Sequence, residues 1–197
     1  MSYNDMKTQA IFPLNLIFEP FTFLDIGCST PGNSVCYPLL QLGCDGYFVD
    51  IEDFDGWDRM EFHKLDATKT NWDFIDKKID YLSIDADKDS YKVLENVPLE
   101  KFGVKVITIE HDAYWGLLGR AENRDLTNRQ PQRKLLKEKG YKLICEDVTN
   151  SKGEIYEDWW CSEELYEYGK GFKCKEVEDS ELVNKLYNKW NESTYQH

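Results

Sequence analysis

The sequence predicts an α/β protein, a three-layer sandwich on a mostly parallel, doubly wound sheet of seven strands. Three observations predict it. Short apolar runs of β type alternate with helix-like stretches in strict order along the chain. The 197 residues are 41% hydrophobic and 31% charged, the composition of one folded domain rather than of a disordered chain. No repeat, low-complexity segment or linker divides them. Residues 1–197 therefore read as a single domain, with an N-terminal segment 1–20, a core 21–161 and a C-terminal helix 176–191.

The strands follow in order. Phe21 to Ile26, after Pro20, reads as the first buried strand, and Gly46 to Asp50 as the second. Glu61 to Leu65 is a weaker third, Ile79 to Ile84 the fourth and Val104 to Ile109 the fifth. Tyr141 to Cys145 is the sixth, and a seventh lies near Ile155 to Cys161. Between them, a helix is expected after Asn33-Ser34, ending at Gly43, although Pro38 is tolerated only in a first turn. Asp87 to Ser90 can cap a helix running to Asn96, before Pro98. Pro131 to Lys139 fits a helix stopped by Gly140. Leu182, Val183, Leu186, Tyr187 and Trp190 recur at helical spacing, either packed on the body or as a homodimer contact.

Charge narrows the partners. Asp and Glu number 37 against 24 Lys and Arg, a net charge of -13. Phosphate backbones and anionic membrane surfaces would be repelled, so a neutral or cationic small molecule is favoured. No run of 18 apolar residues marks a membrane span, and the start lacks the basic flank of a signal peptide. Six cysteines without a C-x-x-C pair read as buried reduced thiols of a cytoplasmic protein, with zinc ligands or disulfides as the alternative.

In doubly wound sheets, ligands bind beyond the carboxyl ends of the strands. The first strand ends in Asp25-Ile26-Gly27-Cys28-Ser29-Thr30-Pro31-Gly32-Asn33-Ser34, whose small residues permit close approach of a ligand. It lacks the dinucleotide G-x-G-x-x-G spacing, and Asp25 suits an ammonium group better than a phosphate. Asp50, followed by Ile51, ends the second strand where an acid can accept both hydroxyls of a ribose. Asp66-Ala67 follows the third. Three acids on one rim describe a pocket for an adenosine-bearing cation, and S-adenosylmethionine fits.

The fourth strand ends in Asp85-Ala86-Asp87 and the fifth in Glu110-His111-Asp112, followed by Tyr114-Trp115. These groups are expected to face the transferable methyl. A hydroxyl acceptor needs a base or a metal, and His111 is the first candidate base. Alternatively, Asp85 and Glu110, with His111 or Asp112, hold Mg²⁺ or Mn²⁺. A third option is that the cluster only shapes a polar pocket. Asp87, Asp112, Tyr114 and Trp115 are the candidate acceptor contacts, with Tyr114, Trp115 and Trp159 as stacking faces for a sugar or as core and surface aromatics. The stretch from Asp112 to Lys134 carries Arg120, Arg124, Arg129 and Arg133 and reads as a lid able to clamp an anionic group, or as a solvated face.

These residues resemble the FkbM family of S-adenosylmethionine-dependent methyltransferases, from about Phe23 to Trp160. Phe23 to Cys28 resembles its first cofactor motif, Ile79 to Asp87 with Val93-Leu94 its fourth-strand segment, and Val106 to His111 its fifth-strand end. Gly140 to Leu143 with Asp158-Trp159 resembles its closing hairpin. Thr30-Pro31 lengthens the glycine-rich loop by one residue, and Asp-Ala-Asp stands where the family more often shows Asp-Val-Glu-Gly. The resemblance implies a class I, Rossmann-like methyltransferase that methylates hydroxyls, commonly of sugars. The expectation is an S-adenosylmethionine-dependent O-methyltransferase acting on a hydroxyl of a sugar or glycan. A non-sugar acceptor or a non-catalytic binding module are the alternatives.

Overall fold

The computed structural model describes residues 3–40, 42–57, 61–117, 123–150 and 152–172. Seven strands form one sheet: β1 Thr22–Ile26, β2 Asp45–Asp50, β3 Phe62–Lys64, β4 Tyr81–Ile84, β5 Val106–Glu110, β6 Lys142–Thr149 and β7 Ile155–Cys161. Their order is β3-β2-β1-β4-β5-β7-β6. The first five run parallel, and β7 enters antiparallel between β5 and β6. All seven strands thus occur where the apolar runs place them. β4 pairs directly with β1, while β5 is one strand further out. The order reverses beside β1, so a crevice opens at the carboxyl ends of β1 and β4.

One face of the sheet is covered by α1 (Tyr3–Leu16), the short turn α2 (Tyr37–Leu40) and α7 (Tyr166–Gly169). Sequence pattern alone left 1–20 as an unassigned segment. Residues 9 to 14 of α1 are buried almost continuously, so no amphipathic period marks it, and Pro13 lies inside it. Phe12 stacks on Trp159 at 5.2 Å between centroids, which welds α1 to β7. Trp159 is therefore core, fully buried, and offers no stacking face to a sugar.

The other face is covered by α3 (Ser90–Asn96), α4 (Leu99–Phe102) and α6 (Gln130–Glu138), over Leu24, Leu82, Ile107 and Trp160. Where a full helix is expected after Ser34, the chain makes only the four-residue α2, in keeping with Pro38. The stripe from Leu182 to Trp190 lies outside the described residues. Cys28, Cys36, Cys44 and Cys161 are free and buried, but Cys145 is disulfide-bonded, against the expectation of thiols throughout. Among the described residues, no helix is long and apolar enough to cross a membrane.

Glu157 on β7 is 1% exposed and accepts hydrogen bonds from the Trp159 indole and the Tyr156 hydroxyl. Burial pushes its carboxyl up from 4.5 to about 8. A value raised by folding means stability that is complete below about 4.5 and is lost as pH rises through about 8. Glu157→Gln keeps an acceptor for both donors and cannot ionise. We expect its melting temperature to match wild type near pH 5 and to exceed it by several degrees at pH 9, as read by thermal denaturation across pH.

Candidate active site

A cavity of about 880 Å³ opens at the carboxyl ends of β1, β2 and β4, within the usual range for a small-molecule site. Gly27, Ser29, Asp50, Asp66, Asp85 and Trp115 contribute to its lining. Its floor is set by Gly27, at φ +82°, whose Cα meets β4 so closely that a Cβ would lie 1.6 Å from the Asp85 carbonyl oxygen. Only glycine fits there.

Asp25 is 2% exposed and does not reach the cavity. Its Oδ2 accepts from the Ser34 hydroxyl at 2.6 Å and from the Cys36 N–H at 3.4 Å, so it holds the loop from beneath. Burial, partly offset by those hydrogen bonds, raises its carboxyl to about 6. Cys28 and Ser34 are buried with it, and Asn33 is exposed near Ser29. None of these four lines the cavity. They shape the loop beneath it.

Asp50 and Asp66 do line it. Asp50 Oδ2 accepts the Ser29 N–H at 2.9 Å, and Oδ1 accepts the Glu52 N–H at 3.1 Å. Each oxygen keeps a lone pair for a hydroxyl. Ile51 beside it is 65% exposed, an apolar surface at the rim. Asp66 accepts from Lys69 Nζ and from the Thr68 N–H and hydroxyl, which lower it to about 2. It stays an anion next to Ala67.

On the β4–β5 side, Asp85 faces the cavity, and Glu110 lies behind it in hydrogen-bond contact. Burial raises both carboxyls, Glu110 strongly and with Asp85's charge added. Two carboxyls this close, both raised by burial, share a proton between them. Asp112 is raised by burial and held down by Arg124, whose guanidinium bonds to it and reaches Asp87 at 3.4 Å. Arg124 also stacks on Trp115 at 4.3 Å, covering that ring. Tyr114 packs against the core cluster on the α1 side and does not line the cavity.

His111 does not join Asp85 and Glu110. Successive strand residues point to opposite sides, and His111 is fully buried on the α6 side. Its Nδ1 accepts the Ala113 N–H at 3.1 Å, and its Nε2 lies 3.6 Å from Asp147 and Asp158. The structure thus does not bring His111 together with Asp85 and Glu110, whereas Asp112 does lie close to Glu110. A different set, Asp87, Glu110 and Asp112, brings ligand atoms within 4.8 Å of one another. Arg124 already holds two of those three carboxylates, so the donors do not fit a divalent ion as they stand. Three of the four lid arginines are likewise committed internally. Arg129 pairs with Asp125 and Asp147, and Arg133 forks onto Asp158 and also meets Glu146 and Asp147. Arg120 lies outside the described residues.

Two lining or supporting residues escaped sequence reading. Arg124 was visible only as one arginine of four. Trp57 follows the turn Asp55-Gly56, a signal that marks a loop end but not what its tryptophan touches.

No family model and no curated protein matches the chain. Solved structures do. An O-methyltransferase from Bacillus cereus, in complex with S-adenosylhomocysteine, superposes with a TM-score of 0.59 at 18% identity, over 83% of this chain and 82% of that one. This is the class I, Rossmann-like methyltransferase fold. The 1,6-didemethyltoxoflavin-N1-methyltransferase of Burkholderia thailandensis, with bound 1,6-didemethyltoxoflavin and S-adenosylhomocysteine, gives 0.53 at 11% identity, over 79% and 76%. At these identities the likeness is one of fold.

Proposed function

We propose that the protein is an S-adenosylmethionine-dependent O-methyltransferase whose acceptor is a small molecule, a sugar hydroxyl first among the candidates. The observation that carries this reading is the cavity at the switch point, with Asp50 on one side of Gly27 and Asp85 on the other. The two solved neighbours above bind the demethylated form of this donor, which supports the same occupant here. The resemblance to FkbM sequences supports the sugar.

The lining fits the donor. Asp50 has lone pairs for two ribose hydroxyls, Ile51 an apolar face for adenine, and the acid rim favours a cation over a phosphate. When bound, the donor supplies a methyl carbon on a sulfonium, open to displacement by an oxygen nucleophile. Asp85 is the base that takes the proton the acceptor hydroxyl sheds, and Glu110 positions Asp85 through their shared proton. The Arg124–Trp115 pair forms the acceptor wall, and most of the rate gain comes from alignment of the two reactants. The four buried free thiols favour the cytoplasm as its setting, with the Cys145 disulfide as the one feature against it.

Calorimetric titration with S-adenosylhomocysteine tests the reading. Wild type is expected to bind, and Asp50→Ala to bind about tenfold more weakly or worse, a charged hydrogen bond's worth. Absence of binding to wild type would overturn it. Binding without turnover on a panel of glycosides and phenols would leave a binding module.

A further inference from the structure

We propose that Trp57 is a positioning residue for the donor loop, acting through the peptide of Ser29. The assignment rests on the methyl-donor reading. Ser29 lines the cavity in the left-handed region, at φ 54°, although it is not glycine. Such a conformation persists only where its surroundings hold it. Both backbone groups of Ser29 are held, each from a different direction. Its N–H is accepted by Asp50 Oδ2 at 2.9 Å. Its carbonyl accepts the Trp57 indole N–H at 2.8 Å.

Trp57 is itself locked. It is 5% exposed, stacked on Phe62 at 5.4 Å and 9°, and tilted against Phe48 at 4.3 Å, with Tyr37 on its edge. Gly56, at φ +100°, turns the chain into this slot, and a Cβ there would lie 3.3 Å from Pro31 Cγ of the loop opposite. The segment after β2 therefore clasps the segment after β1. Because a trans peptide sets carbonyl and N–H in opposition, fixing the Ser29 oxygen also fixes the Thr30 amide as a donor turned away from Trp57. Asp50 does two things at once: its Oδ2 anchors the loop through the Ser29 N–H, and a lone pair on each oxygen remains for the ligand.

Trp57→Phe keeps an aromatic ring between Phe48 and Phe62, deletes the donor and leaves the space of the second ring. Amide hydrogen exchange over residues 28–34 is expected to rise about tenfold while the melting temperature falls by only a few degrees. The S-adenosylmethionine KM is expected to rise about fivefold with kcat nearly unchanged, a split that a purely structural residue would not produce. Unchanged exchange and KM in the folded variant would overturn the assignment. Should the variant not fold, the wild-type Trp57 indole N–H decides. Protection at least tenfold above a free indole supports the clasp, and exchange as fast as a free indole overturns it. A wild-type chain that fails to bind S-adenosylhomocysteine overturns the donor reading instead, and the exchange data then speak to the loop alone.

Discussion

Asp85→Asn is expected to lower kcat by about 10²- to 10³-fold, with S-adenosylhomocysteine affinity held within about threefold. The amide has the carboxylate's shape but cannot take a proton. The main-chain oxygen of residue 85, against which Gly27 packs, is untouched. The pH profile carries the same information. Burial raises the Asp85 carboxyl above its ordinary value, and activity needs the anion, so activity falls with falling pH at a higher pH than an exposed aspartate would set. In Glu110→Gln that acid limb should move, because the hydrogen bond that favours the Asp85 anion has changed partner. Wild-type turnover should survive a strong chelator, since the Arg124 guanidinium holds Asp87 and Asp112. Full activity of Asp85→Asn would remove Asp85 as the base, and loss of activity in chelator would return a divalent ion to the site.

Gly27→Ala should be the most damaging single methyl in the protein. A Cβ would have to occupy space 1.6 Å from a main-chain oxygen of the central strand pair, in a backbone region that L residues avoid. Neither wall is a flexible side chain, so β1 and β4 must separate at their carboxyl ends. Strain and overpacking together come to about 4 kcal/mol, a melting point lower by roughly 10 °C in a chain of this size. Binding of S-adenosylhomocysteine should be lost in whatever remains folded. Differential scanning calorimetry and titration check both, and a variant with wild-type melting and affinity would show that the two strands do not meet there.

The strands were legible because a sheet covered on both faces demands compact apolar runs, and Phe21 to Ile26 or Ile79 to Ile84 admit little else. The helix α1 was not, since burial from Gln9 to Leu14 erases the period by which a helix is recognised, and Pro13 argues against one. At the cavity, Asp50, Asp66 and Asp85 were readable from their places at strand ends. Their neighbours deceived for a reason of geometry. Asp25 lies one residue below the rim, where its carboxylate turns inward to Ser34. His111 lies one residue past Glu110, and period two sends it to the opposite side of the sheet, toward Asp147 and Asp158. Sequence places a residue along a strand more readily than it tells which way the side chain is turned near a strand's end. The lid arginines misled in another way. Their acidic partners, Asp147 and Asp158, are distant in sequence and became neighbours only when β6 and β7 folded back over α6.

The antiparallel course of β7 has an architectural outcome. Glu157 lies opposite Glu110, and Tyr156 receives the main-chain N–H groups of His111 and Asp112. The hairpin bend around Asn150, Gly153 and Glu154 is thereby delivered to the end of the sheet where the parallel strands finish, held among the described residues by its own hydrogen bonds. Residues added to that tip would extend the rim at the carboxyl ends of the strands without altering the register of any parallel strand. That edge of the site can therefore be reshaped by growing one turn, while the cavity-lining half of the scaffold is left intact.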